Sequence, residues 1–219
     1  MTAAAFIRAH TALAAPALVP ELRLWTATEI TPLWQATETW LAAHNVAPPF
    51  WAFPWPGGQA LARHVLDHPA LVAGRRVLDF AAGGGIAAIA CARAGAARVE
   101  AAEIDPLATA AIALNAAAND VTVHALTGDM VGSPCRWDVI LCGDVCYEAP
   151  MTAHILPWLR GLAGVAEVLL ADPGRAYLPA GLAVAARYAV PTTAELEDRE
   201  IREVGVFRLE AGQTGSVSV

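Results

Sequence analysis

The feature that most constrains the fold is a regular alternation of short buried strands and Ala-rich helices that begins near Arg75. Residues 76–80 have the pattern of a buried strand, a glycine loop follows, and residues 86–94 predict a helix closed by Gly95. The unit then repeats, with further strands predicted at 98–104, 121–126, 137–142 and 166–171 and further helices at 106–118, 151–162 and 178–188. Such alternation predicts an α/β fold with a parallel sheet covered on both faces.

Both ends of the chain depart from this alternation. Residues 192–197 and 203–209 predict two strands with no helix between them, which indicates an antiparallel pair at one side of the sheet. We expect an N-terminal extension or lid over residues 1–74, a core over residues 75–211 and a flexible tail over residues 212–219. The extension holds five of the seven tryptophans, namely Trp25, Trp34, Trp40, Trp51 and Trp55.

Charge narrows the choice of partner. All 14 basic residues are arginine, which excludes a phosphate-loop lysine or a Schiff-base lysine. The net charge of -7 disfavours nucleic acid and favours a basic protein as partner. The longest uncharged stretch, residues 39–62, contains four prolines and therefore cannot form an uninterrupted membrane helix. We expect a soluble cytoplasmic protein with no membrane partner.

The four cysteines give no sign of a metal site. They form no Cys-x-x-Cys pair and have no paired histidines nearby, and most lie in apolar surroundings that suit buried thiols. We expect no bound metal.

The glycine loop predicts a nucleoside-containing ligand. Residues 79–85 read Asp-Phe-Ala-Ala-Gly-Gly-Gly between a strand and a helix, where Gly83 and Gly85 let a ligand approach the backbone. Glu103 follows 20 residues after Gly83, at the end of the second strand, where a carboxylate can accept both hydroxyls of a ribose.

Two features favour S-adenosyl-L-methionine over NAD as that ligand. The third glycine of the dinucleotide pattern is missing, and Asp79 repels phosphate but attracts the amino group of S-adenosylmethionine. After the third strand, Asp129 can accept a hydrogen bond from the adenine amino group, and Met130 supplies its backbone amide. The alternative for Asp129 is an aspartate that caps a turn.

Asp144 and Tyr147 follow the fourth strand, three residues apart. On a tight turn this spacing lets a carboxylate and an aromatic ring face one pocket, which suits a lysine ammonium through an ion pair and a cation–π contact. The alternative is an ordinary turn cap beside a half-buried tyrosine.

Five segments carry a family resemblance, at residues 49–61 (with Trp-Pro-Gly-Gly-Gln), 79–85, 103–106 (Glu-Ile-Asp-Pro), 143–147 (Gly-Asp-Val-Cys-Tyr) and 171–175 (Ala-Asp-Pro-Gly-Arg). Together they resemble the electron transfer flavoprotein beta-subunit lysine methyltransferases. The resemblance runs from about Glu21 to Phe207 and implies a Rossmann-like, seven-stranded class I methyltransferase fold.

The resemblance also implies roles for individual residues. Trp55 and Gly57 help close the cofactor pocket, and Asp144 with Tyr147 meets the substrate lysine. Asp79, Ala81, Gly83 and Gly85 line the cofactor pocket, and Glu103 holds the ribose. The candidate cofactor residues also include Ile104, next to Glu103, and the Asp129 and Met130 already named after the third strand. Ala81 stands where the family more often has glycine. Trp51 and Arg175 are candidates for substrate contact, with lid packing and a solvated turn as their respective alternatives.

The leading interpretation is a protein-lysine N-methyltransferase that acts on the beta subunit of electron transfer flavoprotein. A ribosomal-protein methyltransferase is the nearest alternative, because Glu-Ile-Asp-Pro followed by an Ala/Asn-rich helix also resembles the ribosomal protein L11 enzymes. A nucleotide-dependent oxidoreductase or a non-catalytic nucleoside-binding module is the alternative from a different class.

Overall fold

The computed structural model describes residues 2–27, 48–192, 197 and 199–211. The predicted tail from residue 212 and the tryptophans Trp34 and Trp40 lie outside the described residues. The helices are α1 (Ala3–His10), α2 (Pro56–Asp67), α3 (Ile86–Arg93), α4 (Pro106–Ala118) and α5 (Ala149–Leu162), with short 3-10 turns at Phe50–Ala52 and Pro69–Leu71. The strands are β1 (Ala12–Ala14), β2 (Leu24–Thr26), β3 (Arg76–Phe80), β4 (Arg98–Glu103), β5 (His124–Thr127), β6 (Val139–Gly143), β7 (Glu167–Asp172), β8 (Ala183–Pro191) and β9 (Ile201–Leu209).

Seven of these strands form one sheet, in the order β5-β4-β3-β6-β7-β9-β8. The first five are mutually parallel, and β9 runs antiparallel to both β7 and β8. The chain order reverses at β3, which lies between β4 and β6, so a crevice opens beyond the carboxyl ends of these strands. The predicted fold, a mostly parallel seven-stranded sheet with a C-terminal antiparallel pair, is confirmed.

Apolar side chains cover both faces of this sheet. Adjacent residues of β3 point to opposite faces, so that Val77 packs in one cluster and Leu78 in another. The first cluster contains Leu61 of α2 and Ile89 of α3. The second contains Leu159 of α5. The strands therefore have helices on both sides, which is why they read as continuous apolar runs in the sequence.

The N-terminal extension is tied to α4 by two asparagines. The buried Asn115 accepts a hydrogen bond from the Trp25 amide at 2.7 Å and donates one to the Gly84 carbonyl at 2.8 Å. Asn119 accepts from the Arg23 amide and donates to the Arg23 carbonyl. Helix α4 thus links the extension to the glycine loop, whereas the domain boundary at residue 74 stays a prediction.

The helix predicted at residues 178–188 is wrong, because β8 occupies Ala183–Pro191 instead. Gly181 has a left-handed backbone (φ +76°), which interrupts a helix, and β8 obtains its hydrogen-bonding partners from β9. The strand predicted at 192–197 is not found at either of its two described ends. Thr192 follows the end of β8, residues 193–196 lie outside the described residues, and Glu197 belongs to neither strand.

Among the residues that the structure describes, no helix is long and apolar enough to cross a membrane.

Candidate active site

A cavity of about 540 Å³ lies beyond the carboxyl ends of β3, β4 and β6. Its volume is in the range of small-molecule sites, which are roughly 300–1,000 Å³. Of the predicted site residues, those that line it are Trp51, Trp55, Asp79, Ala81, Gly83, Glu103, Ile104, Asp129, Met130, Asp144, Tyr147 and Arg175. The sheet and its loops therefore bring together residues that the sequence separates by more than 120 positions.

Asp79 lies at the end of β3 with its side chain buried. Its Oδ2 accepts a hydrogen bond from the amide of Ala88, in the first turn of α3, at 2.9 Å. Burial and, to a smaller extent, the nearby Glu103 carboxylate together raise the pKa of Asp79 to about 7, against the lowering effect of the Ala88 hydrogen bond. A carboxyl group in this state gains strongly from a cationic partner.

Glu103 holds the glycine loop against the end of β4. Its Oε1 accepts from the Gly83 amide at 2.7 Å and its Oε2 from the Ile104 amide at 3.0 Å. Each carboxylate oxygen has a further lone pair, so Glu103 can still accept the two hydroxyls of a ribose. Burial raises its pKa.

The glycine loop has a left-handed backbone at three positions. Gly83 and Gly85 have φ of +55° and +80°, and Ala81 has φ of +53°. This conformation costs a residue with a Cβ atom roughly 1–2 kcal/mol, whereas glycine adopts it freely. The backbone therefore explains physically why glycine is favoured at position 81.

Asp129 forms the bond expected of a turn cap, since its Oδ1 accepts from the Val131 amide at 2.9 Å. Its Oδ2 lies 2.7 Å from Nε2 of His154, a residue of α5 that also lines the cavity. The backbone hydrogen bond and His154 both lower the pKa of Asp129. The proposed contact with adenine would therefore involve an aspartate already fixed in orientation.

Asp144 is fixed at the end of β6 by several contacts. Its amide donates to the Ala171 carbonyl at 2.9 Å, its Oδ2 accepts from the Gly58 amide at 3.2 Å, and Arg175 lies 3.1 Å from its Oδ1. The residue has a left-handed backbone, with φ of +57°. Aspartate and asparagine adopt this conformation more readily than other residues with a Cβ atom, and the surrounding contacts hold it here.

The Trp-Pro-Gly-Gly-Gln segment explains how α2 reaches Asp144. Pro56 occupies the first position of α2, a place that suits proline. A Cβ atom on Gly57 would lie 2.5 Å from Asp144 Oδ2 and 2.7 Å from the Ala171 carbonyl oxygen. Gln59 anchors the segment, because its side-chain amide donates to Pro54 and its oxygen accepts from Leu18. Only glycine at position 57 permits this close approach.

Aromatic rings surround the mouth of the cavity. The centroid of the Phe50 ring lies 6.0 Å from that of Tyr147 and 6.1 Å from that of Trp55. The Trp55 indole donates a hydrogen bond to the Phe50 carbonyl at 2.8 Å. Burial raises the pKa of Tyr147, so its phenol stays protonated at neutral pH and can donate a hydrogen bond.

Arg175 points into the protein, so the alternative interpretation of Arg175 as a solvated arginine on a turn is wrong. Its guanidinium contacts Asp144 and the buried Glu197, and its carbon Cζ lies 5.9 Å from the centre of the Trp55 ring. Whether it also contacts a protein substrate stays a prediction.

Two predicted residues, Gly57 and Gly85, shape the site without lining it. Gly57 allows the approach of α2, and Gly85 caps the start of α3. Sequence reasoning missed Phe50, Gly58, His154 and Glu197. Phe50 and Gly58 lie within the 49–61 segment that carries part of the family resemblance. No sequence pattern links Glu197 to Arg175 or His154 to Asp129.

The lining has the charge expected for a cationic nucleoside. Five of the described lining residues are carboxylates, at Asp79, Glu103, Asp105, Asp129 and Asp144. Arg175 is the only arginine among the described lining residues, and it is already paired with Asp144. This set would repel the phosphates of NAD but attract the ammonium and sulfonium groups of S-adenosylmethionine. The residues therefore fit S-adenosylmethionine, which Asp79, Glu103 and the glycine loop would hold.

The sheet order, the position of the cavity and its acidic lining define a class I methyltransferase. A solved structure with this fold is magnesium protoporphyrin IX methyltransferase from Synechocystis with bound S-adenosylhomocysteine (SAH), with a TM-score of 0.51 and 17% identity over 69% of this chain and 80% of that one. This likeness agrees with the predicted methyltransferase fold.

Curated relatives specify the family. The chain is 40% identical over 179 residues to the electron transfer flavoprotein beta subunit lysine methyltransferase of Xenopus laevis, covering 78% of this chain and 70% of that one. It is 39% identical to the same enzyme of Danio rerio over 73% of this chain and spans 62% of that relative. A model of the ribosomal protein L11 methyltransferase family matches residues 61–145. The chain belongs to the electron transfer flavoprotein beta subunit lysine methyltransferase family.

Proposed function

We propose that this protein is an S-adenosylmethionine-dependent protein-lysine N-methyltransferase whose substrate is the beta subunit of electron transfer flavoprotein. The observation that carries the proposal is that Asp144 and Tyr147 both line the acidic cavity whose residues fit the cofactor. The names of the relatives supply the substrate.

Asp144 and Tyr147 have the chemistry to receive a lysine side chain. The carboxylate attracts the amino group, and the rings of Tyr147 and Phe50 provide aromatic walls for its methylene chain. When bound, S-adenosyl-L-methionine supplies an electrophilic methyl group, which a neutral lysine amine accepts as the carbon–sulfur bond breaks and the amine loses a proton. The protein contributes mainly by positioning the amine.

Deprotonation of the lysine is the main energetic demand on the site. An ordinary lysine ammonium has a pKa of about 10.4, so its deprotonation at pH 7 costs about 4.6 kcal/mol. An apolar, aromatic mouth disfavours the charged form, whereas an isolated carboxylate would favour it. We therefore assign Asp144 to capture and alignment, with the proton released to water.

The experiment that tests this function uses methyl-labelled S-adenosylmethionine with purified electron transfer flavoprotein. Label on lysines of the beta subunit, located by mass spectrometry, is the expected result. Because Asn tolerates the left-handed backbone at position 144, Asp144→Asn removes the charge with little strain. We expect Asp144→Asn and Tyr147→Phe to reduce turnover at least about tenfold with nearly unchanged cofactor affinity.

One outcome would reject the proposed substrate class, and another would reject the roles given to Asp144 and Tyr147. One is label confined to nucleic acid or small molecules when whole lysate is offered. The other is an equal loss of cofactor binding and turnover in both variants, which would indicate a structural role for Asp144 and Tyr147. Ribosomal protein is included as a competing substrate, because the family model of the ribosomal protein L11 methyltransferases matches residues 61–145. Cytoplasmic localisation and the absence of a nucleic-acid or membrane partner stay predictions.

A further inference from the structure

Arg175 joins two carboxylates that are far apart in the sequence. A single guanidinium nitrogen, Nη2, lies 3.1 Å from Asp144 Oδ1 and 2.7 Å from Glu197 Oε1. Arg202 binds the other oxygen of Glu197 at 3.1 Å. The side chains of Asp144 and Glu197 are only 10% and 2% exposed. Charges this deeply buried depend on their partners, because removal of one partner leaves the other uncompensated.

The contact with Arg175 restrains the one part of Asp144 that α2 does not hold. Gly58 donates its amide to Oδ2, and the backbone amide of Asp144 is bonded to Ala171, so Arg175 is the contact that fixes Oδ1. The lining of the cavity includes both Asp144 and Arg175. A lysine amine that approaches Asp144 therefore meets a carboxylate already shared with a permanent cation.

We infer that Arg175 is a positioning residue for lysine methylation, which holds the Asp144 carboxylate in place and offsets part of its charge. This inference rests on the proposed function. The role of Arg175 explains how Asp144 can align the lysine amine without strongly raising the pKa of that amine. Arg175 cancels part of the negative charge of Asp144 before the lysine arrives.

The charged surroundings of Asp144 support this role. Burial raises the pKa of Asp144 to about 6, Arg175 acts to lower this pKa, and Asp172 and Glu197 act to raise it. Helix α2 meets the carboxylate with glycine backbone. The other titratable groups facing this region, from β6 and the loop that follows it, are Cys142, Cys146 and Tyr147.

These opposing influences give a test that does not depend on activity. The full-length protein is labelled with ¹³C at aspartate carboxyls, and the Asp144 signal is assigned by its loss in Asp144→Asn. In Arg175→Gln we expect the titration midpoint of Asp144 to move up by roughly one unit or more, because a cation next to the carboxylate is gone. In Glu197→Gln we expect it to move down, because a neighbouring anion is gone. Arg175→Lys keeps the cation and should leave the midpoint near that of the wild type.

A matched control is Arg76→Gln. Arg76 binds Asp138 at 2.7 Å at the opposite end of the sheet, so its loss removes an arginine–aspartate pair of the same chemistry remote from the cavity. The Asp144 midpoint should not move. An unchanged midpoint in Arg175→Gln and Glu197→Gln, or a shift of both in the same direction, would overturn the inference. If Arg175→Gln fails to fold, Arg175→Lys decides it through kcat on the lysine substrate, because lysine keeps the charge but not the geometry of the guanidinium: a partial loss of kcat supports the inference and an unchanged kcat overturns it.

Kinetics then connect this result to the reaction. In Arg175→Gln we expect kcat on the lysine substrate to fall about tenfold or more, with cofactor affinity little changed and the acidic limb of the pH profile moved upward. Arg175→Lys should restore part of kcat. An unmoved acidic limb would indicate a merely structural role and overturn the inference. If the wild type methylates no lysine, the proposed function fails, while the carboxyl titration still decides whether Arg175 controls Asp144.

Discussion

Three carboxyl groups of the cavity are each held by a backbone amide from a different element. Asp79 accepts from α3, Glu103 from the glycine loop and Asp144 from α2. Because these amides belong to helices and a loop that form without any ligand, the carboxylates are already oriented before a ligand binds. Side chains that are already oriented lose little conformational entropy when a ligand binds, which favours both the affinity for the ligand and its alignment.

The pKa of Asp79 predicts a pH-dependent affinity for the cofactor. Burial holds this pKa at about 7, and a bound cation favours the ionised form, so binding below pH 7 must release a proton from Asp79. We therefore expect affinity for S-adenosylmethionine to weaken as the pH falls through about 7. Calorimetry in buffers of different ionisation enthalpy measures the released proton.

Asp79→Asn is the control for this expectation, because it keeps the shape of the side chain and cannot titrate. Its affinity should be weaker at pH 8 and nearly independent of pH between 6 and 8. A wild-type affinity that is flat over the same range would show that Asp79 does not exchange its proton on binding.

At the level of elements, the site depends on how closely the first turn of α2 approaches β6 and β7. We expect Gly57→Ala to lower the free energy of unfolding by roughly 1–3 kcal/mol, because its Cβ atom would collide with Asp144 and with the Ala171 carbonyl. Turnover should fall more than about tenfold as Asp144 is displaced. Urea denaturation and steady-state kinetics measure the two effects.

Gly161→Ala is the matched control, since Gly161 also lies in a helix but a Cβ atom there would meet nothing within 4 Å. This variant should be as stable as the wild type or up to ~1 kcal/mol more stable, with unchanged activity. Equal behaviour of the two alanine variants would contradict the importance of the close approach at α2.

The sequence predicted the elements that combine periodicity with end signals. The strand over Arg76–Phe80 and the helix over Pro106–Ala118, with Asp105 as its N-cap, have the predicted bounds. The region of β8 could not be predicted, because its Ala-rich composition favours a helix and only pairing with β9 makes it a strand. Gly181, a residue that interrupts helices, was the one signal in this segment against a helix.

The candidate site follows the same distinction. Residues at the carboxyl ends of predicted strands, such as Asp79, Glu103 and Asp144, could be placed together because parallel strands end at one edge of the sheet. The link from Arg175 to Glu197 could not be predicted, since it depends on side-chain packing between segments with no periodic relation.

For the whole molecule, the net charge of -7 predicts how its protein substrate associates. If the substrate presents a lysine-bearing basic surface, long-range attraction speeds encounter, and salt screens that attraction over a Debye length of about 10 Å at 0.1 M. We expect kcat/KM for the protein substrate to fall about tenfold between ~50 and ~300 mM salt. Initial-rate assays with methyl-labelled cofactor at several salt concentrations measure this dependence of kcat/KM.

The affinity for S-adenosylmethionine serves as the internal reference, because Asp79, which is expected to hold its amino group, is buried and is screened less. A kcat/KM that is insensitive to salt would mean that the acidic surface does not guide the protein substrate.

The position of β9 has a consequence for biosynthesis. It is the last strand in sequence order, yet it lies between β7 and β8, with Asp172 opposite Gly205. During synthesis the five parallel strands leave the ribosome before β9, so the sheet cannot be completed beside β7 until residues beyond 200 emerge. Competence for methylation would then be acquired in one late step of synthesis, rather than growing as successive strand–helix units appear.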